Sequence, residues 1–242
     1  MKRLVAIFPG LLLLLSLIST PVEAQNLYLV STGVADYPGT WNDLRLADED
    51  ARAVHRLFKK NARAESILLT NRNASKNRIL TSARNLFSKA GPDDIVVFFF
   101  SGHGYQGGFC AYDEELTYPE IRRLFSACKA RNKMIFADAC FSGDMREGRG
   151  TGFNDPSNNI MLFLSSRSEE TSYELHDMRN GLFAACLVRA LKGGADVNRD
   201  RVITAKELFS AVSKGVKELS DNRQHPVMWG NFPDDMPVMV WK

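Results

Sequence analysis

The sequence predicts an α/β fold, one domain with a mostly parallel sheet of about six strands and helices on both faces. Three observations predict it. Strand-like and helix-like segments alternate along the chain. Two segments, "DIVVFFFS" and "KMIFADA", are apolar throughout, as strands buried on both faces are. The helical segments carry apolar residues on one stripe only.

Taken in order, "NLYLVSTGV" (26–34) reads as a strand. "LADEDARAVHRLFKK" (46–60) reads as a helix with Ala47, Ala51, Val54 and Phe58 on one face. "SILLT" (66–70) is a short strand. "SKNRILTSARNLFSKA" (75–90) is a helix stopped by Gly91-Pro92. "DIVVFFFS" (94–101) and "KMIFADA" (133–139) flank the helix "YPEIRRLFSACKAR" (118–131). "NIMLFLSS" (159–166) is a further buried strand. "GLFAACLVRALK" and "TAKELFSAVSKGVKEL" are the last helices, and "VMVWK" closes the chain as an edge strand. The one long irregular stretch is "SGDMREGRGTGFNDPSNN" (142–159), a surface loop of a length that is often functional.

The first 24 residues read as a secretory signal peptide: a basic "MKR", an interrupted apolar run, and "VEA" before Gln25. An uncleaved anchor is the competing reading. Cleavage after Ala24 removes Lys2, Arg3 and Glu23, so the formal charge falls from +3 by two and regains one, to +2. So small a charge gives no electrostatic case for a nucleic-acid partner. No second long apolar run follows, so no membrane partner is expected after cleavage, and the protein is expected to be exported, periplasmic or secreted. The remainder, 25–242, is expected to be a single domain.

Of the four cysteines, Cys128 and Cys186 fall at helical spacing with apolar neighbours and read as buried small residues. There is no C-x-x-C, so neither zinc nor a redox dithiol is supported.

"FFFSGHGYQGG" (98–108) contains Gly102, Gly104 and Gly107 at the spacing of a dinucleotide fingerprint. That fingerprint needs a helix opening from its last glycine. None follows before Pro119, and the motif sits after the third strand rather than the first. A different chemistry fits better. His103 stands at the C-terminal end of one buried strand and Cys140 at the end of the next. In a parallel sheet both emerge on the same edge, where ligands bind. A thiol beside an imidazole becomes a thiolate nucleophile, and the imidazolium then protonates a leaving group. Taken singly, Cys140 would read as a buried cysteine and His103 as a turn residue. Together, flanked by glycines, they read as a catalytic pair.

"FFFSGHG" and "DACFSG" resemble the histidine and cysteine motifs of caspase-like cysteine peptidases, in the metacaspase and bacterial caspase-like form (peptidase family C14). "LADEDARAV", "LSSRSEETSYE", "NGLFAACLVRAL" and "DVNRDRVITAKEL" extend the resemblance over nearly all of 25–242. It implies a three-layer α/β/α fold, with a large-subunit-like part (25–145), the 142–159 loop, and a small-subunit-like part (160–242). It implies Cys140 as nucleophile, His103 as general base and acid, and the backbone N–H groups of Gly104 and Cys140 as oxyanion hole. It places Asp138, Asp50 and Ser101 in an acidic pocket that takes a basic side chain, and protein or peptide substrates as the partners. A carboxylate beside the nucleophile favours a cationic side chain on physical grounds also. The competing readings are a strand-end Asp138 bonding turn amides and an Asp50 placed only for the helix dipole. Arg146 and Arg149 in the loop are the sites where such an enzyme would cut itself.

No cofactor is expected. Many metacaspases bind calcium after the histidine motif, but here "YDEELTYPE" has Tyr118 and Pro119 where an acidic pair would stand, and Glu147 replaces a later Asp. "DVNRDRVITAKE" (196–207) has Asp196, Asn198, Asp200 and Glu207 at EF-hand positions, yet Arg201 replaces the glycine and Thr204 with Glu207 forms a capping box. His55 reads as a surface residue, and His176 and His225 as loop residues. The sequon at Asn73 is better read as Ser75 capping the next helix. Two functions from different classes stand: an exported cysteine endopeptidase cutting after Arg or Lys, and a non-catalytic binding or scaffold module of the same fold. The intact Cys140–His103 pair favours the first.

Overall fold

The computed structural model describes residues 25–39, 42–139, 160–166 and 178–241. Among them the chain runs β1 (Leu27–Gly33), α1 (Ala47–Phe58), β2 (Ala64–Thr70), α2 (Lys76–Phe87), β3 (Ile95–Ser101), then three short strands β4 (Gly104–Tyr105), β5 (Gly108–Cys110) and β6 (Glu115–Thr117). It continues with α3 (Tyr118–Ser126), β7 (Asn132–Asp138), β8 (Ile160–Leu164), α4 (Leu182–Arg189), β9 (Val202–Thr204), α5 (Ala205–Leu219), β10 (Val227–Trp229) and β11 (Pro237–Val240).

The main sheet has six strands in the order β10-β8-β7-β3-β1-β2. Five of them run parallel, and β10 pairs antiparallel with β8. Strand alternation sorts the core into two layers. Val96, Phe98 and Phe100 of β3 face α2 and α3. Ile95, Val97 and Phe99 face α1, α4 and α5. All six are fully buried. Truncating any one of these phenylalanines to alanine should cost about 3–5 kcal/mol. This is the expected three-layer α/β/α architecture.

Helix starts follow from their local sequences. Ser75 accepts the Arg78 N–H at the start of α2. Thr117 and Glu120 form a capping box at α3, with Pro119 in its first turn. Thr204 and Glu207 do the same for α5.

Two strands differ from expectation. The chain's last strand, β11, does not edge the main sheet but pairs with β9 in a small sheet of its own. The sixth main-sheet strand is β10, which the sequence reading left unassigned. The β4–β6 sheet after His103 was also unanticipated. Strands of two or three residues carry no period that marks them. Gly107, with φ of 119°, makes the β4–β5 turn. The glycine spacing after β3 thus serves a hairpin and opens no helix.

One glycine positions the site. The ends of β1, β3 and β7 are in register, Gly33 beside Ser101 beside Asp138. A Cβ on Gly33 would lie 2.2 Å from the Ala47 carbonyl oxygen. Its absence lets the first turn of α1 lie on the strand end, which carries Asp50 over Ser101.

Candidate active site

The C-terminal edge of the sheet holds a buried acidic cluster. Asp50 and Asp138 are 2% and 7% exposed, and Ser101 between them is 3% exposed. Ser101 Oγ donates to Asp50 Oδ2 at 2.9 Å. Asn180 Nδ2 and the Gly181 N–H donate to Asp50 Oδ1 at 3.0 and 2.9 Å. The Ala184 N–H donates to Asp138 Oδ2 at 3.3 Å. Gly181 caps α4, so both carboxylates face the positive end of that helix dipole. A Cβ at Gly181 would lie 3.0 Å from an oxygen of each aspartate. Those two oxygens are therefore no more than twice that distance apart. Burial, and then the nearby charge of Asp138, push the Asp50 carboxyl well above the usual carboxylate range, against the pull of its three donors. Two like charges brought this close out of water are held at an energetic cost.

His103 follows β3 on the same edge. Its Nε2 lies 2.7 Å from the Asn42 carbonyl oxygen. A carbonyl only accepts, so Nε2 carries the proton and Nδ1 is the basic nitrogen. The His103 N–H donates to the Tyr37 hydroxyl at 3.0 Å, and that hydroxyl donates to the Cys110 carbonyl at 3.0 Å. The two rings pack with centroids 5.0 Å apart. The Gly102 N–H donates to the Asp138 carbonyl at 3.2 Å, which ties the histidine turn to the end of β7. Ala139, after that strand, is buried. Cys140, Glu147, the 142–159 loop with Arg146 and Arg149, His176 and the leader 1–24 lie outside the described residues. Gly104 lies in β4, next to His103.

A family model described as a caspase domain matches residues 30–236. The chain belongs to the caspase-domain peptidase family. Membership supports cysteine-type peptidase chemistry on protein substrates. A solved structural-genomics protein from Geobacter sulfurreducens is similar over 90% of this chain and 100% of its own, with a TM-score of 0.66 at 17% identity. At that identity the likeness shows the fold. No curated protein matches the sequence.

The acidic residues that follow the histidine in this caspase-like chain are committed to other partners. Asp113 accepts the Lys76 N–H, Glu114 and Glu120 pair with the Lys76 ammonium, and Glu120 also closes the α3 capping box. In the 196–207 turn, Asp196 accepts the Arg201 N–H, Asp200 the Val202 N–H, and Glu207 the Thr204 N–H. Among the described residues no group of three or more His, Cys, Asp or Glu is arranged to hold a metal ion.

Sequence reasoning missed Tyr37, Asn42, Asn180 and Gly181. Only Asn180-Gly181 left a signal, a polar-glycine pair directly before an apolar helix. The expected surface residue His55 is instead half-buried, with Nδ1 2.9 Å from Ser66 Oγ. Burial, then Lys59 and Arg56, lower its pKa. Cys110, Cys128 and Cys186 are free thiols. Burial raises the pKa of each, that of Cys186 to about 11, which keeps them unreactive.

Proposed function

We propose that the protein is an exported cysteine endopeptidase that cleaves after arginine or lysine. His103 Nδ1 takes the proton of the Cys140 thiol, and the thiolate attacks the scissile carbonyl carbon. The N–H groups of Gly104 and Cys140 stabilise the oxyanion. The imidazolium then protonates the amine as the C–N bond breaks, leaving a thioester on Cys140. Water, deprotonated by His103, attacks the thioester, which releases the new carboxyl group and restores the thiol. Asp50 and Asp138, with Ser101, hold the cationic side chain next to the cut.

The observation that carries this reading is the buried convergence of two carboxylates on the sheet edge that bears His103, one of them two residues before Cys140. Two buried carboxylates that converge on one point favour a cationic guest. No cofactor enters any step. Cleavage of the leader after Ala24 accords with export, and cutting after Arg146 or Arg149 would be the enzyme's own.

The test is labelling with a peptidyl chloromethyl ketone carrying arginine, followed by peptide mapping. The expected result is modification of Cys140 and not of Cys110, Cys128 or Cys186. Cys140→Ala and His103→Ala should each lower hydrolysis of an arginyl substrate at least about a thousandfold, because the two act as a unit. Wild-type turnover in either variant would remove the pair from the mechanism. A folded wild type that neither takes the label nor cleaves any basic peptide would favour a binding module instead.

A further inference from the structure

We propose that Tyr37 is a positioning residue that acts through His103, an inference that rests on the peptidase reading above. Its hydroxyl closes a ring of three hydrogen bonds behind the imidazole. The His103 N–H donates to the Tyr37 oxygen, the Tyr37 O–H donates to the Cys110 carbonyl, and the Cys110 N–H donates back to the His103 carbonyl at 2.9 Å. Each direction is forced, since an amide only donates and a carbonyl only accepts. The phenol thus adds a side-chain bridge from the His103 N–H to β5, beside the direct bond from the Cys110 N–H to the His103 carbonyl. Tyr37 is 8% exposed, so water does not readily replace it.

The segment that presents Tyr37 is braced on its own account. The Tyr37 N–H donates to Asp43 Oδ1 at 3.1 Å, and the Leu44 N–H to the Ala35 carbonyl at 2.8 Å. Asn71 Oδ1 accepts the N–H groups of Ala35 and Asp36 at 2.9 and 3.2 Å. The same segment carries the Asn42 carbonyl that holds Nε2. His103 is therefore gripped at its backbone and at its ring by one braced loop. Gly102 is part of the fit, because a Cβ there would lie 2.8 Å from the Tyr37 oxygen. A histidine that must receive a proton on one nitrogen needs the other held still, and small displacements of a reacting group are costly in rate.

The experiment compares wild type with Tyr37→Phe, which keeps the ring and removes only the hydroxyl. Two readouts are taken. In ¹⁵N-histidine-labelled protein, the Nε2–H proton of His103 should give a slowly exchanging signal in wild type and a broadened or lost one in the variant. With an arginyl substrate, kcat per folded molecule should fall by about 10–100-fold, while KM and inhibition by benzamidine stay within about twofold. A variant that keeps both the proton signal and kcat, even if it melts lower, would show Tyr37 to be structural and overturn the proposal. A wild type without peptidase activity whose histidine signal is still lost in Tyr37→Phe would leave the positioning role standing and remove the peptidase reading.

Discussion

Two acidic clusters in this molecule look alike in composition and differ in every physical respect. The turn at 196–207 gathers Asp196, Asp200 and Glu207 near the surface, where each carboxylate accepts a main-chain N–H from within five residues of itself. The sheet-edge pair of Asp50 and Asp138 is buried, and its donors lie 46 to 131 residues away. The first cluster shapes a turn and starts α5. The second has been taken out of water and set against a like charge, an arrangement that a helix N-terminus and donors from distant parts of the chain offset. Carboxylates that shape the chain find local amides. The buried pair, proposed above to take a basic side chain, is assembled by the whole fold.

Substitutions in the two clusters should separate them, in descending order of effect. Asp138→Asn should lower kcat/KM for arginyl peptides by roughly 30–1000-fold, the range for truncating one partner of a buried charge pair. Alkylation of Cys140 by iodoacetamide, which needs no basic pocket, should change far less. Equal loss in both assays would make Asp138 a structural residue. Gly181→Ala should weaken arginyl substrates by about tenfold or more, because its methyl group would crowd both carboxylates; a misplacement of this size carries such a penalty. Unchanged KM in that variant would place the substrate side chain elsewhere.

Asp50→Asn tests the energetic side of the contrast. The folded-state pKa of Asp50 is raised, so the native chain holds a proton that the unfolded chain has already lost. The associated stability is complete below the ordinary aspartate pKa and disappears as pH rises through the raised value. At neutral pH the charge is therefore a burden. Asparagine, which can still accept from Asn180 and Gly181, should raise the melting temperature by about 2–4 °C there, for a gain of about 1 kcal/mol. The advantage should vanish near pH 4, while arginyl hydrolysis still falls. A destabilised variant at neutral pH would contradict the direction of the shift. In the exposed turn, Asp200→Asn should change stability by no more than about 0.5 kcal/mol, as surface substitutions do. We expect calcium or a chelator to leave activity within about twofold; strong activation would identify a metal site outside the described residues.

The same division explains what the sequence disclosed. The five parallel strands and the helices were legible because Phe98, Phe99, Phe100 and their counterparts in β7 repeat over whole turns and strands. The capping residues Ser75 and Thr204 were legible because their partners are three residues away. Asp50, Ser101 and Asp138 were reached through motif resemblance, since nothing local in the first helix distinguishes Asp50 from Asp48 or Glu49. Tyr37 and Asn42 were not legible, because their bonds to His103 span 66 and 61 residues. Strand β10 was missed because three residues carry no alternation, and its pairing with β8 is fixed by tertiary packing.

The most direct measurement compares two fluorogenic peptides that differ only in arginine or citrulline before the cut. Citrulline keeps the shape of the side chain and lacks its charge. Wild type should prefer arginine by about a hundredfold or more in kcat/KM, consistent with a buried charge pair, and in Asp138→Asn the ratio should collapse toward one. Equal rates for the two peptides in wild type would contradict the assignment of the Asp50–Asp138 pair as the site of a basic side chain.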